Sequence, residues 1–153
     1  MRGFYIDHRA LPDDASLSRE LAQHICIRGA RGLVVVVTDQ PKDLLATTKK
    51  QWHALIRLVQ RERSSTLKAA RITELSNQID WMQRLAFTSK IVDELPENGV
   101  VFATAADLIR RPPICSTLYI TQTLSAEEFH LVTSWLVKNS VVVIYDLTSS
   151  VNQ

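Results

Sequence analysis

Apolar residues follow two rhythms along this chain. Short runs of β-branched and aromatic residues alternate with longer segments in which apolar residues recur every three or four positions. Gly3-Phe4-Tyr5-Ile6-Asp7 reads as a first strand, broken by Pro12-Asp13-Asp14. A helix is expected from Ser16, as N-cap, to about Arg28, with Leu17, Leu21 and Ile25 on one stripe. Gly29 stands where a C-cap belongs. Leu33-Val34-Val35-Val36-Val37 is apolar at every position, which suits a central strand covered on both faces. Thr38-Asp39-Gln40-Pro41 then opens a helix, with Asp39 or Gln40 as the cap and Pro41 in the first turn.

The next fifty residues have the helical rhythm. From Pro41 to about Arg61 the apolar positions are Leu45, Trp52, Leu55, Ile56 and Val59, with Thr48 filling a gap in the stripe. Glu62-Arg63-Ser64-Ser65 is expected to be a turn. A second helix follows from Thr66 to about Thr88, with Ile72, Leu75, Ile79, Met82 and Ala86 at steps of three and four. Two such stripes make the seam of an antiparallel helical hairpin, an insertion spanning 41–91. A helix of about 20 residues is about 30 Å long, enough to project beyond the body of a small domain.

After a turn at Leu95-Pro96-Glu97-Asn98-Gly99, Val100-Val101-Phe102-Ala103 reads as the third strand. Ala105 to Arg110 is a short helix stopped by Pro112-Pro113, and Ser116 to Thr121 is the fourth strand. Ser125 and Glu128 have capping-box spacing and open a helix through Phe129, Val132, Trp135 and Leu136 to near Asn139. Val141 to Tyr145 is the fifth strand. Strands alternating with helices imply a three-layer α/β fold. The expected architecture is one domain over 1–148, with a mostly parallel five-stranded sheet, the inserted hairpin, and a flexible tail at 149–153.

Composition narrows the class. An apolar fraction of 46% and a charged fraction of 22% suit a globular chain with a core. Apolar runs such as Leu33–Val37 fall far short of the roughly 20 residues that span a bilayer. Asp7, Asp13 and Asp14 interrupt any secretory pattern at the N-terminus. A cytoplasmic location without membrane contact is the expectation. Cys26 and Cys115 form no CxxC pair and have no histidine at ligand spacing, so both are expected to be small buried apolar residues.

Charge changes the picture more. Between Lys42 and Arg71 there are eight basic and two acidic residues, a balance of +6 in a chain of net +2, which leaves −4 for the remainder. Lys50, His53, Arg57 and Arg61 step by three and four along the first long helix, with Lys49 alongside and Arg63 beyond. A one-sign stripe attracts acidic protein surfaces or a phosphate backbone. Arg110 and Arg111, ahead of the stiff Pro112-Pro113, form a second small basic site of the anion-clamp kind.

Catalytic signatures are sparse. Neither GxxxxGKS/T nor GxGxxG follows an early strand, and no GxSxG occurs. Asp7, Asp39, Asp107 and Asp146 fall at or just after expected strand ends, where α/β sheets build sites. Asp7 and Asp39 would be the natural pair for a Mg²⁺ ion. His8, beside Asp7, is the one histidine placed for acid–base work; His24 and His130 read as a packed and a surface residue.

Two functions are therefore expected from different classes. The first is a non-enzymatic accessory module of a larger, nucleic-acid-handling assembly. It would need no cofactor and would contact a protein partner, or nucleic acid, through Lys49, Lys50, His53, Arg57, Arg61, Arg63, Arg110 and Arg111. Its hairpin seam also invites self-association. The second is a small metal-dependent phosphodiesterase or nuclease using Asp7, His8 and Asp39.

Overall fold

The β-branched runs do become strands, and every strand pair is parallel. The computed structural model describes residues 4–8, 14–28, 32–89, 99–111, 115–134 and 142–146. The strands are β1 (Phe4–His8), β2 (Leu33–Val37), β3 (Ala86–Thr88), β4 (Gly99–Ala103), β5 (Thr117–Ile120) and β6 (Val142–Asp146). They form one sheet in the order β1-β6-β5-β2-β4-β3. Among the described residues the sheet therefore has six strands rather than the five expected. The addition is β3, which pairs with β4 through Ala86 opposite Gly99 and Phe87 opposite Val100. Its three residues continue the helical spacing of the preceding segment, so only pairing reveals them as a strand.

The helices are α1 (Asp14–Arg28), α2 (Pro41–Ser65), α3 (Ala69–Arg84), α4 (Ala105–Arg110) and α5 (Ala126–Thr133). α2 runs four residues past Arg61. Ser64, Ser65 and Thr66 turn their hydroxyls back onto the carbonyls of Gln60 and Glu62, so residues that usually favour turns satisfy helical carbonyls instead. The chain reverses over 66–68. Trp52 then meets Met82, while Glu62, ten residues on, meets Arg71, so the two helices run in opposite senses. The Ser125 capping box at the start of α5 is complete in both directions.

Two cores form, one on each face of the sheet. Val34 and Val36 of β2, Val100 and Phe102 of β4 and Tyr119 of β5 point toward α1, α2 and α3. Their neighbours Leu33, Val35, Val37, Val101, Leu118 and Ile120 point toward α4 and α5. This alternation is the period of two in a strand buried on both faces. In α2 the buried residues are Leu44, Thr48, Trp52 and Ile56, a strict four-residue step. Gly32, at φ +80, leads into β2 where an added Cβ would stand 3.2 Å from the Ser116 hydroxyl.

Thr48 is 0% exposed, and its hydroxyl oxygen has no hydrogen-bond partner among the described residues. An unpartnered buried hydroxyl costs about 1–3 kcal/mol. Thr48→Val keeps the shape and removes that cost. We expect it to raise the unfolding free energy by about 1 kcal/mol in urea denaturation; a loss of stability would mean that the hydroxyl is satisfied.

Gly29, Pro112, Pro113, Trp135, Leu136, the segment 90–98 and the tail at 149–153 lie outside the described residues. Among the described residues no helix is long and apolar enough to cross a membrane.

Candidate functional site

The buried row of α2 fixes where its charges stand. With Leu44, Thr48, Trp52 and Ile56 turned inward, Lys50, Arg57 and Arg61 fall on the opposite side, and Lys49 and His53 flank the buried row. All five are exposed; Arg63 is half-buried near the tip. Among the described residues none of these six makes a salt bridge. Three other surface arginines are neutralised. Arg71 bonds Glu62 and Glu74, each at 2.9 Å, Arg84 bonds Asp80, and Arg110 bonds Asp107 at 2.8 Å. Hydrogen bonds to Glu62 and then Glu74 hold the Arg71 guanidinium above its ordinary pKa. The charge of α3 is thus balanced locally, whereas that of α2 is not.

In the basic pair expected at Arg110 and Arg111, one Arg110 N–H donates to Asp107 at 2.8 Å. Arg111 closes α4 through its backbone N–H to the Asp107 carbonyl.

The strands expected to bring the metal carboxylates together are not neighbours. β6 and β5 stand between β1 and β2. Strands are spaced about 4.8 Å apart, so the backbones at the ends of β1 and β2 are about 14 Å apart. His8 instead stands in register with Asp146 of β6, a neighbour that sequence spacing could not reveal. Among the described residues no three His, Cys, Asp or Glu side chains are grouped to hold a metal ion.

Asp39 sits elsewhere. After β2 the chain passes to α2 on one face; after β5 it passes to α5 on the other. These adjacent strands thus form a topological switch point, and a cleft of about 420 Å³ lies at their carboxyl ends. Thr38, Asp39, Asp43, Thr121 and Gln122 line it. Asp39 does not cap α2; Gln40 takes the N-cap position without a side-chain bond, and Pro41 follows.

A second concavity adjoins the basic face. A groove of about 540 Å³ opens between α2, the last turn of α3 and β3. Trp52, Ile56 and Met82 form its buried floor, with Phe87 beside them. Trp52 is fixed there: its indole N–H donates to the Met82 carbonyl at 2.8 Å, and its ring meets Trp81 edge-on at 5.6 Å and Phe87 at 5.7 Å. Phe87 in turn stacks on Phe102. Lys49 and His53 stand on the α2 rim. Sequence reasoning missed this groove because one wall is β3, which it took for helix.

His24 Nδ1 and the Tyr119 hydroxyl are 2.8 Å apart, both buried beneath α1. Cys26 and Cys115 are both free, Cys26 half-buried in the core under α1 and Cys115 buried in the core on the other face of the sheet. Burial raises the Cys26 thiol, partly offset by a hydrogen bond from Gln78. Burial pushes Cys115 up to about 12 against an ordinary value of 9.0.

The folded chain therefore keeps the Cys115 proton while the unfolded chain loses it above pH 9.0, so stability falls as pH rises from there toward about 12. We expect Cys115 to resist a thiol reagent at neutral pH until urea is added, and Cys115→Ala to flatten the alkaline loss of stability. Rapid labelling of native Cys115 would contradict its burial.

No protein-family model, no curated protein and no solved structure matches this chain.

Proposed function

We propose that this protein is a non-enzymatic interaction module, an accessory subunit that docks into a larger assembly through the basic face of a helical hairpin formed by α2 and α3. One observation carries this reading. The exposed cations of α2 have no intramolecular carboxylate partner among the described residues, while Arg71, Arg84 and Arg110 each have one. A folded chain gains little from holding four like charges, Lys49, Lys50, Arg57 and Arg61, along one helix, since their mutual repulsion opposes stability. An acidic partner offsets that repulsion.

The chemistry of the face favours a protein partner over a nucleic acid. Leu58, 56% exposed, lies one residue from Arg57, and Leu67, 97% exposed, crowns the turn between the helices. Such side chains gain from an apolar contact that a phosphate backbone does not supply. Base stacking needs an open aromatic face, but Trp52 is only 2% exposed and Trp81 packs against it.

Fluorescence anisotropy against polyglutamate and against single-stranded DNA and RNA, across a salt series, tests the proposal. The expected result is binding that weakens steeply with salt and falls in Arg57→Ala/Arg61→Ala. Affinity purification with and without nuclease then separates direct protein contact from nucleic-acid bridging. No association with any acidic polymer at low salt would defeat the reading.

A further inference from the structure

We propose that the groove beside the basic row seats one large apolar side chain of an acidic peptide segment, whose flanking carboxylates lie along Lys49, His53, Arg57 and Arg61. The inference rests on reading α2 as an interaction face and adds the chemistry and register of what binds there.

Three features support it. The groove, about 540 Å³, lies in the size range of sites that enclose a ligand group. Its floor is already fixed, Trp52 by its bond to the Met82 carbonyl and Phe87 by stacking on Phe102, so an entering side chain orders little that was mobile. The rim carries Lys49 and His53, and no acidic residue lines the groove. A basic segment would set like charge against Lys49. A phosphate chain would satisfy it but leave the apolar floor against a charged strand.

Spacing agrees with an extended occupant. Residues four apart on α2 rise about 6 Å along its axis, and alternate residues of an extended chain advance about 6.6 Å. Every second side chain of such a segment can therefore follow the row of Lys49, His53, Arg57 and Arg61. The outermost strand of the sheet, β3, forms the facing wall.

The test uses the intact chain and a short fluorescein-labelled peptide with one Trp flanked by alternating Glu and Ser. The same peptide with Ala for Trp, and an oligothymidine, serve as controls. The Trp peptide is expected to bind about tenfold more tightly than the Ala peptide. Gln83→Trp, an exposed change of no charge on the α3 side of the groove, should remove that difference while leaving the salt dependence intact. Phe87→Ala should do the same from the β3 wall. Equal binding of the two peptides, or indifference to both Gln83→Trp and Phe87→Ala, with a persisting salt slope, overturns the groove and leaves the basic face standing. Binding of oligothymidine alone overturns the peptide in favour of nucleic acid. Failure of every probe at low salt overturns both readings.

Discussion

Trp52→Ala is expected to lower the unfolding free energy by about 3–5 kcal/mol, the range for removing a large buried aromatic. Among the described residues the ring is the largest fully buried side chain, and it sits where α2, α3 and the sheet meet. Three losses coincide there. The apolar area returns to water, the contacts with Trp81 and Phe87 disappear, and the Met82 carbonyl loses its donor. Collapse into the cavity is resisted because Phe87 is held by Phe102 across β3 and β4. Trp52→Phe separates the terms. It keeps much of the ring but not the N–H, so a cost of about 2 kcal/mol is expected. Urea denaturation followed by far-UV circular dichroism measures both without using the lost fluorophore. A loss under about 1 kcal/mol for Trp52→Ala would mean that the helix pair is not docked through this residue.

Reversal of the basic row should do the opposite: a large change in binding with almost none in stability. Lys50→Glu, Arg57→Glu and Arg61→Glu together move the chain from +2 to −4. None of the three makes a salt bridge among the described residues, and all lie opposite the buried stripe, so no packing is lost. Exposed substitutions of this kind alter stability by about 0.5 kcal/mol each or less. Relief of like-charge crowding on one helix could even raise the melting temperature slightly. Binding to an acidic surface, by contrast, exchanges three attractions for three repulsions. A fall of about 100-fold or more at low salt is expected, shrinking as salt screens the charges. Unchanged affinity with an intact fold would remove the basic face from the interaction.

Much of the fold was legible because it depends on neighbours in sequence. The all-apolar run of β2 announces a strand covered on both faces, and it is fully buried. The Ser125–Glu128 capping box needs four consecutive residues and nothing else. Trp52 and Ile56, with Thr48 in the gap of the stripe, likewise predict which side of α2 faces inward, and hence which side carries the cations, although Leu44 rather than Leu45 completes the buried row. Misreadings arose where local preference meets competition. Ser64 and Ser65 are turn formers, yet back-bonding to helical carbonyls keeps them in α2 and moves the reversal to 66–68. Ala86–Thr88 follows a helical spacing, yet the open edge of β4 captures it as a strand.

The sites divide along the same line. The basic row was readable because its members lie on one helix, where spacing alone sets the face. The separation of the β1 and β2 ends was not, because the carboxyl ends of consecutive strands are neighbours only if the strands are. Nor were the pairing of His24 with Tyr119 or the aromatic floor beside Lys49, each of which joins elements far apart in the chain.

By itself, then, the amino-acid order determined the element types other than β3, most of the inward-facing positions of the strands and helices, and the excess of positive charge on α2. Those follow from backbone periodicity and side-chain polarity within a few turns. Strand order, the capture of β3, the neutralisation of Arg71, Arg84 and Arg110, and the shape of the two clefts were decided only by tertiary packing. The reason is that burial is a competition among distant segments for the same apolar surface, and no local pattern records which segment wins.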